Sequence, residues 1–150
     1  MNIHFIKTPE KREIIKSLQE EFGITDLPYL LIESGKERIR AFSGSLSKEE
    51  ILKIQDIANV ELVGLYILKR ENEFRLSFDA THLFSPQIKT NIAELDEKQL
   101  HAWIRGNDIE LNLPQNIYAI RSRGDFFGCG RSNGNTLFNY VPKDRRLKIK

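Results

Sequence analysis

The side chains able to do covalent or acid–base chemistry are few in this sequence, and they are badly spaced for it. His4, His82 and His101 lie far apart and in no metal-ligand spacing. Cys129 is the one cysteine, which excludes a zinc set, a CxxC pair and a disulfide framework. A nucleophilic cysteine needs a partner base and an accessible, electropositive setting. Cys129 sits instead in Phe127-Gly128-Cys129-Gly130, which reads as an apolar strand and predicts a small core residue. The pattern Gly128-x-Gly130-x-x-x-Gly134 is no dinucleotide fingerprint, because no strand leads through it into a helix. Glycines inside a strand signal a bulge or a close backbone approach. Glu10, Glu49, Glu50, Asp96 and Glu97 fall at helix-starting positions, where capping and solvation account for them. The expectation is a non-enzyme with no cofactor and no metal.

The cations are arranged more suggestively. Residues 118–150 hold Arg121, Arg123, Arg131, Lys143, Arg145, Arg146, Lys148 and Lys150 against two acids, Asp125 and Asp144. That segment is +6, so the first 117 residues carry −4 of a chain whose total is +2. Such asymmetry is a footprint of polyanion binding, although a solvated basic tail has the same composition. Arg121 and Arg123 alternate about Ser122 and share a face if the strand runs that far. Arg131 falls on the next strand, so two antiparallel strands can present an arginine cluster. The planar guanidinium donates two hydrogen bonds at once to phosphate. Tyr140 can stack on a base or close a barrel, and both readings stay open.

The elements that must hold these residues are legible in outline. Thr8-Pro9-Glu10 opens a helix with Thr8 as cap, Ile14, Ile15, Leu18 and Phe22 recur at helical spacing, and Gly23 stops it. Tyr29 to Glu33 and Arg38 to Phe42 read as strands about a Ser34-Gly35-Lys36 turn. Ser47-Lys48-Glu49-Glu50 is a capping box for a helix reaching Ala58, and Val60 to Leu68 is an apolar strand. Arg70-Glu71-Asn72-Glu73 is the polar turn at which the chain divides, into residues 1–70 and 71–150. Beyond it, Phe74 to Phe78 reads as a strand and Ala80 to Leu83 as a short helical turn. A short helix runs from Leu95 to Trp103. Ile117 to Ser122, Phe126 to Arg131 and Thr136 to Tyr140 form closely spaced strands. Ser132-Asn133-Gly134 carries a strong hairpin signal, and together these strands suggest a small barrel.

At 150 residues, 40% hydrophobic and 29% charged, the chain has the composition of an ordered globular protein. It has no apolar run of membrane-spanning length and no secretory leader at Met1–Phe5. A cytoplasmic location is expected.

Four ordered stretches resemble a known family. They are Phe74–Phe78 with Ala80–Leu83, Leu100–Ile109, Gly124–Gly130, and Asn139-Tyr140-Val141-Pro142-Lys143-Asp144-Arg145-Arg146. Residues 74–146 are similar to the PUA-like RNA-binding domain at the C-terminus of Sun-family RNA cytosine-5 methyltransferases. Residues 1–70 look like the small α/β unit that precedes PUA domains. The layout resembles compact ribosome-biogenesis factors built from those two units. The resemblance implies an α+β fold, a pre-PUA-like unit followed by a PUA-like β-barrel with short helices. The methyltransferases' cofactor domain and catalytic cysteines have no counterpart here, which implies RNA targeting without methyl transfer. PUA domains grip RNA with a loop after the first strand, a nearby strand and the C-terminal segment. Carried over, that points to Ser85, Gln87, Lys89 and Thr90 in the loop. In the strands and tail it points to Arg121, Arg123, Arg131, Lys143, Arg145 and Arg146, beside which Tyr140 stands as the candidate for stacking on a base.

The function so implied is non-catalytic RNA binding in rRNA or tRNA maturation or ribosome biogenesis. The partner is then RNA, with an RNA-modifying enzyme or pre-ribosomal particle behind it, and no membrane. The alternative is a subunit that docks on a separate RNA methyltransferase through its acidic N-terminal part.

Overall fold

A computed structural model of the chain describes residues 3–34, 37–42, 48–50, 53, 65–70 and 73–148. The first helix, α1 (Thr8–Phe22), buries Ile14, Leu18 and Phe22, one residue per turn on one side. Gly23 ends it at φ 83°, in the left-handed region, with its N–H bonded back to Gln19. Thr8 is not the cap. Lys7 occupies that position with no side-chain bond, because its carbonyl already accepts from Lys11 and Thr8 is drawn into the first turn.

The first sheet has order β1-β2-β3-β4-β5 and is antiparallel throughout. Its strands are β1 (Ile3–Phe5), β2 (Leu30–Ser34), β3 (Arg38–Phe42), β4 (Leu65–Arg70) and β5 (Phe74–Leu76). Ile39, Leu68 and Leu76 lie opposite one another across β3, β4 and β5 and share a core with the buried side of α1. A register shift between Ile39 and Arg40 places Arg40 opposite Tyr66, on the other face. Of the helix expected over 47–58, Lys48–Glu50 and Lys53 are helical, and the rest lies outside the described residues, as do residues 60–64 of the following strand.

β5 stops at Leu76, short of the expected Phe78. The Ser77 hydroxyl accepts from the Ala80 N–H at 3.0 Å and donates to the Tyr66 carbonyl at 2.7 Å. That cap starts α2 (Phe78–Leu83) at once. Asp96 and Gln99 exchange side-chain bonds with each other's backbone N–H, a capping box that opens α3 (Glu97–Ile104).

The second sheet has order β6-β8-β9-β10-β7 and curls into a half-barrel. It comprises β6 (Ile92–Glu94), β7 (Ile109–Glu110), β8 (Asn116–Ser122), β9 (Asp125–Ser132) and β10 (Thr136–Asn139). β6 runs parallel to β8, and the remaining pairs are antiparallel. β8 is buried on both faces from Ile117 to Ile120. One face joins the α1 core through Ile117, Ala119, Phe126 and Cys129, so the two sheets close on a common interior. The other face packs around Trp103, whose indole N–H donates to the Phe127 carbonyl at 2.9 Å. Gly130 admits that ring. A Cβ there would stand 2.5 Å from the Trp103 Cη2 and 2.7 Å from the Phe138 carbonyl oxygen. The architecture is α+β, with short helices bracing two five-stranded sheets.

Candidate nucleic-acid interface

The C-terminal segment follows β10 and is held by one side chain. The Asn139 amide donates to the Trp103 and Asn107 carbonyls at 2.7 and 3.0 Å, and its oxygen accepts from the Val141 N–H at 2.8 Å. Its own N–H is taken by Asp108. The end of α3, the strand and the segment are thereby tied at one point. A 3-10 turn, Lys143–Arg145, follows, and the Leu147 N–H bonds to Ile104.

Within this segment Arg145 reaches Asp79 of α2 at 2.7 Å and lies over the Phe78 ring. Arg146 is half-buried, with its Nε donating to the Val141 carbonyl at 3.0 Å and its chain lying against Gly106. Gly106 has φ 96°, and a Cβ there would stand 2.6 Å from Arg146 Cδ. Lys143 is exposed and has no charged partner among the described residues. Tyr140 belongs to neither core cluster, and its ring lies 4.3 Å from the Arg75 guanidinium carbon.

The strand arginines are not brought together. The β8–β9 register sets Ile117 opposite Arg131 and Arg121 opposite Phe126, which puts the two arginines at opposite ends of the hairpin. Arg121 instead pairs with Glu94 of β6, Arg123 with Glu97 at 3.0 Å, and Arg131 with Glu73 at 2.9 Å. Arg123 does not continue the strand face either, because at φ 50° it turns the hairpin. The expected arginine cluster is therefore corrected to three separate ion pairs. Partly exposed pairs of this kind are worth about 0–1 kcal/mol, so a phosphate can compete for the guanidinium.

The loop residues divide in the same way. Gln87 is spent inside the protein: its oxygen accepts from the Thr25 and Asp26 N–H groups and its amide donates to the Asp26 carbonyl. Thr90 donates its hydroxyl to the Glu21 carbonyl at 2.8 Å, joined there by the Asn91 amide at 2.6 Å. Ser85 bonds through its N–H to His82. Lys89 is anchored by its backbone to Phe22 and leaves its ammonium exposed. It stands at the end of α1, whereas Lys143–Arg146 rest on α2 and α3.

No described side chains assemble a nucleophile with its base, and none of their His, Cys, Asp and Glu groups gather for a metal. Cys129 is buried, and burial pushes its thiol up to about 12. The His82 Nε2–H donates to the Phe126 carbonyl, 2.7 Å away, and joins α2 to β9. The Glu21 carboxyl is pushed up to about 7, first by burial and then by the charge of Glu73. Its Oε2 is buried without a hydrogen-bond partner. No described helix is long and apolar enough to cross a membrane.

These two sheets, their short helices and the tied C-terminal segment define a protein with a PUA-like domain. Residues 90–147 match the family described as the methyltransferase RsmF PUA domain. Among solved structures, a conserved PUA domain protein from Thermoplasma acidophilum shares the fold. The TM-score is 0.59 at 14% identity, over 92% of this chain and 93% of that one. No curated protein matches the sequence.

Proposed function

We propose that the protein binds RNA without altering it, through the PUA-like domain and its basic C-terminal segment. The observation that carries this reading is a coincidence of fold and charge. The stretch that matches the PUA family, residues 90–147, overlaps the +6 segment 118–150 of a chain that is otherwise acidic. Exposed Lys89 and Lys143 and the ion-paired but solvent-accessible Arg121, Arg123 and Arg145 are the groups offered to phosphates. Arginine and lysine contacts of this sort position a protein on RNA and release counterions, so affinity falls as salt rises. Acting in rRNA or tRNA maturation, or in ribosome biogenesis, in the cytoplasm, is the biological setting we favour. The boundary at residue 70 is the division we favour between an accessory unit and the RNA-binding one.

The test is binding of the full chain to total RNA and to heparin as a polyanion control, for the native protein and for Lys143→Ala with Arg145→Ala. The expected result is preferential RNA binding that drops at least tenfold in the double variant, with the far-ultraviolet circular dichroism unchanged. Undiminished binding in a folded double variant would remove the C-terminal segment from the interface.

A further inference from the structure

A second basic surface lies outside the matched region, on the face of the first sheet opposite α1. Arg38 of β3 stands opposite Lys69 of β4, and Lys69 opposite Arg75 of β5. Three cations therefore form one row across three neighbouring strands, about 10 Å from end to end. Like charges placed directly opposite on adjacent strands destabilise a sheet. Arg121 and Arg131 of the second sheet each meet a carboxylate, and Arg70, on the opposite face of β4, is clamped by Glu10 at 2.8 Å and Glu33 at 2.6 Å. Arg38 and Arg75 receive none among the described residues. Lys69 has a contact of its own and adds its charge between them.

What Arg38 and Arg75 do receive is an aromatic ring each. Arg38 lies 5.3 Å from the Tyr66 ring centre and Arg75 lies 4.3 Å from that of Tyr140. Both rings are partly exposed, and Arg38 is exposed. A guanidinium over a ring still has N–H donors free for phosphate, and the planar groups together offer a platform for a base. Single-stranded RNA is recognised by this pairing of cations tracking a backbone with planar groups receiving unstacked bases. An acidic polypeptide would use the charges and leave the rings idle.

We propose that this face is a further RNA-contact surface for an unpaired strand. Arg38 and Arg75 take phosphates, and the Arg75–Tyr140 stack receives a base. It rests on the RNA-binding reading above and extends the interface from the C-terminal segment, through Tyr140, onto the first sheet. An unpaired strand threads from one to the other, because Tyr140 precedes Lys143 by three residues.

The experiment measures binding of the full chain to labelled oligouridine, to a blunt RNA duplex and to polyglutamate, at several salt concentrations. Tyr140→Leu is expected to weaken oligouridine binding about tenfold and Tyr140→Phe to leave it unchanged. Arg38→Gln and Arg75→Gln are each expected to reduce the salt slope by about 0.7. Arg75→Lys, which keeps the charge and removes the plane, supplies the same test if Tyr140→Leu does not fold. It is expected to weaken binding several-fold with the slope retained. Oligouridine binding by the native chain that none of these folded variants changes would overturn the inference and leave the RNA-binding reading standing. No binding to any RNA would overturn both. Polyglutamate bound as tightly as oligouridine, with Tyr140→Leu neutral, would assign the face to an acidic protein and overturn it as well.

Discussion

At the scale of single residues, the polar side chains that matter most are those the fold uses for itself. Glu21 has its proton held up to about 7 from an ordinary 4.5, by burial and by Glu73 nearby. Between those two values the unfolded chain has lost that proton and the folded chain retains it. Unfolding then releases a proton, and the Glu21 contribution to stability falls as pH rises, reaching its floor above about 7. Glu21→Gln is expected to raise stability at pH 8 by about 1 kcal/mol, a figure reduced for solvent screening. It should also flatten the pH profile between 5 and 7, as read by urea unfolding across pH. Gly130 is the opposite case, a residue whose value is the absence of a side chain. Gly130→Ala has to displace the Trp103 ring and a backbone carbonyl and is expected to cost about 3 kcal/mol, measured by thermal unfolding. The glycines around Cys129 were readable in the sequence as a close approach. That the partner is Trp103, twenty-odd residues upstream, was not, because nothing local encodes that contact.

Among the elements, the two that steer the candidate interface are tied by amides. Asn139 holds the end of α3, β10 and the C-terminal segment together with three side-chain bonds. Asn139→Ala leaves two carbonyls and one N–H without it and is expected to cost about 2–3 kcal/mol, read by urea unfolding. Gln87 clips its loop to the turn after α1 in the same manner, and Gln87→Ala is expected to cost about 1–2 kcal/mol by the same measurement. Long, periodic or well-punctuated elements were legible: α1, with its four-residue repeat and Gly23 stop, and the β8–β9–β10 run with its Arg123-Gly124 and Asn133-Gly134 turns. β1, β6 and β7 were not, since two or three residues carry no alternation to read and their pairing is set by distant strands. The Phe78 boundary was misread because its aromatic side chain favours a strand, while the Ser77 cap, which decides the matter, depends on Tyr66 being beside it.

For the whole molecule, charge is distributed in two layers. The cations conspicuous in the sequence, Arg121, Arg123, Arg131 and Arg145, each meet a carboxylate. Arg38 and Arg75, hidden in the acidic first 117 residues, meet tyrosines instead. A count along the sequence finds the first group and misses the second, because only the register of β3, β4 and β5 lines them up. The four family-like stretches were informative for a related reason: Leu100–Ile109 and Asn139–Arg146 are the two segments that Asn139 joins, so their spacing reflects a physical contact. The central claim is that this assembly binds RNA through phosphates. It is tested most directly by the slope of log affinity against log salt for the full chain on structured RNA, with heparin run in parallel. The account predicts RNA preferred over heparin and a slope of about −3 or steeper, from at least four phosphate contacts. Affinity that stays flat with salt, or no preference for RNA, would contradict it.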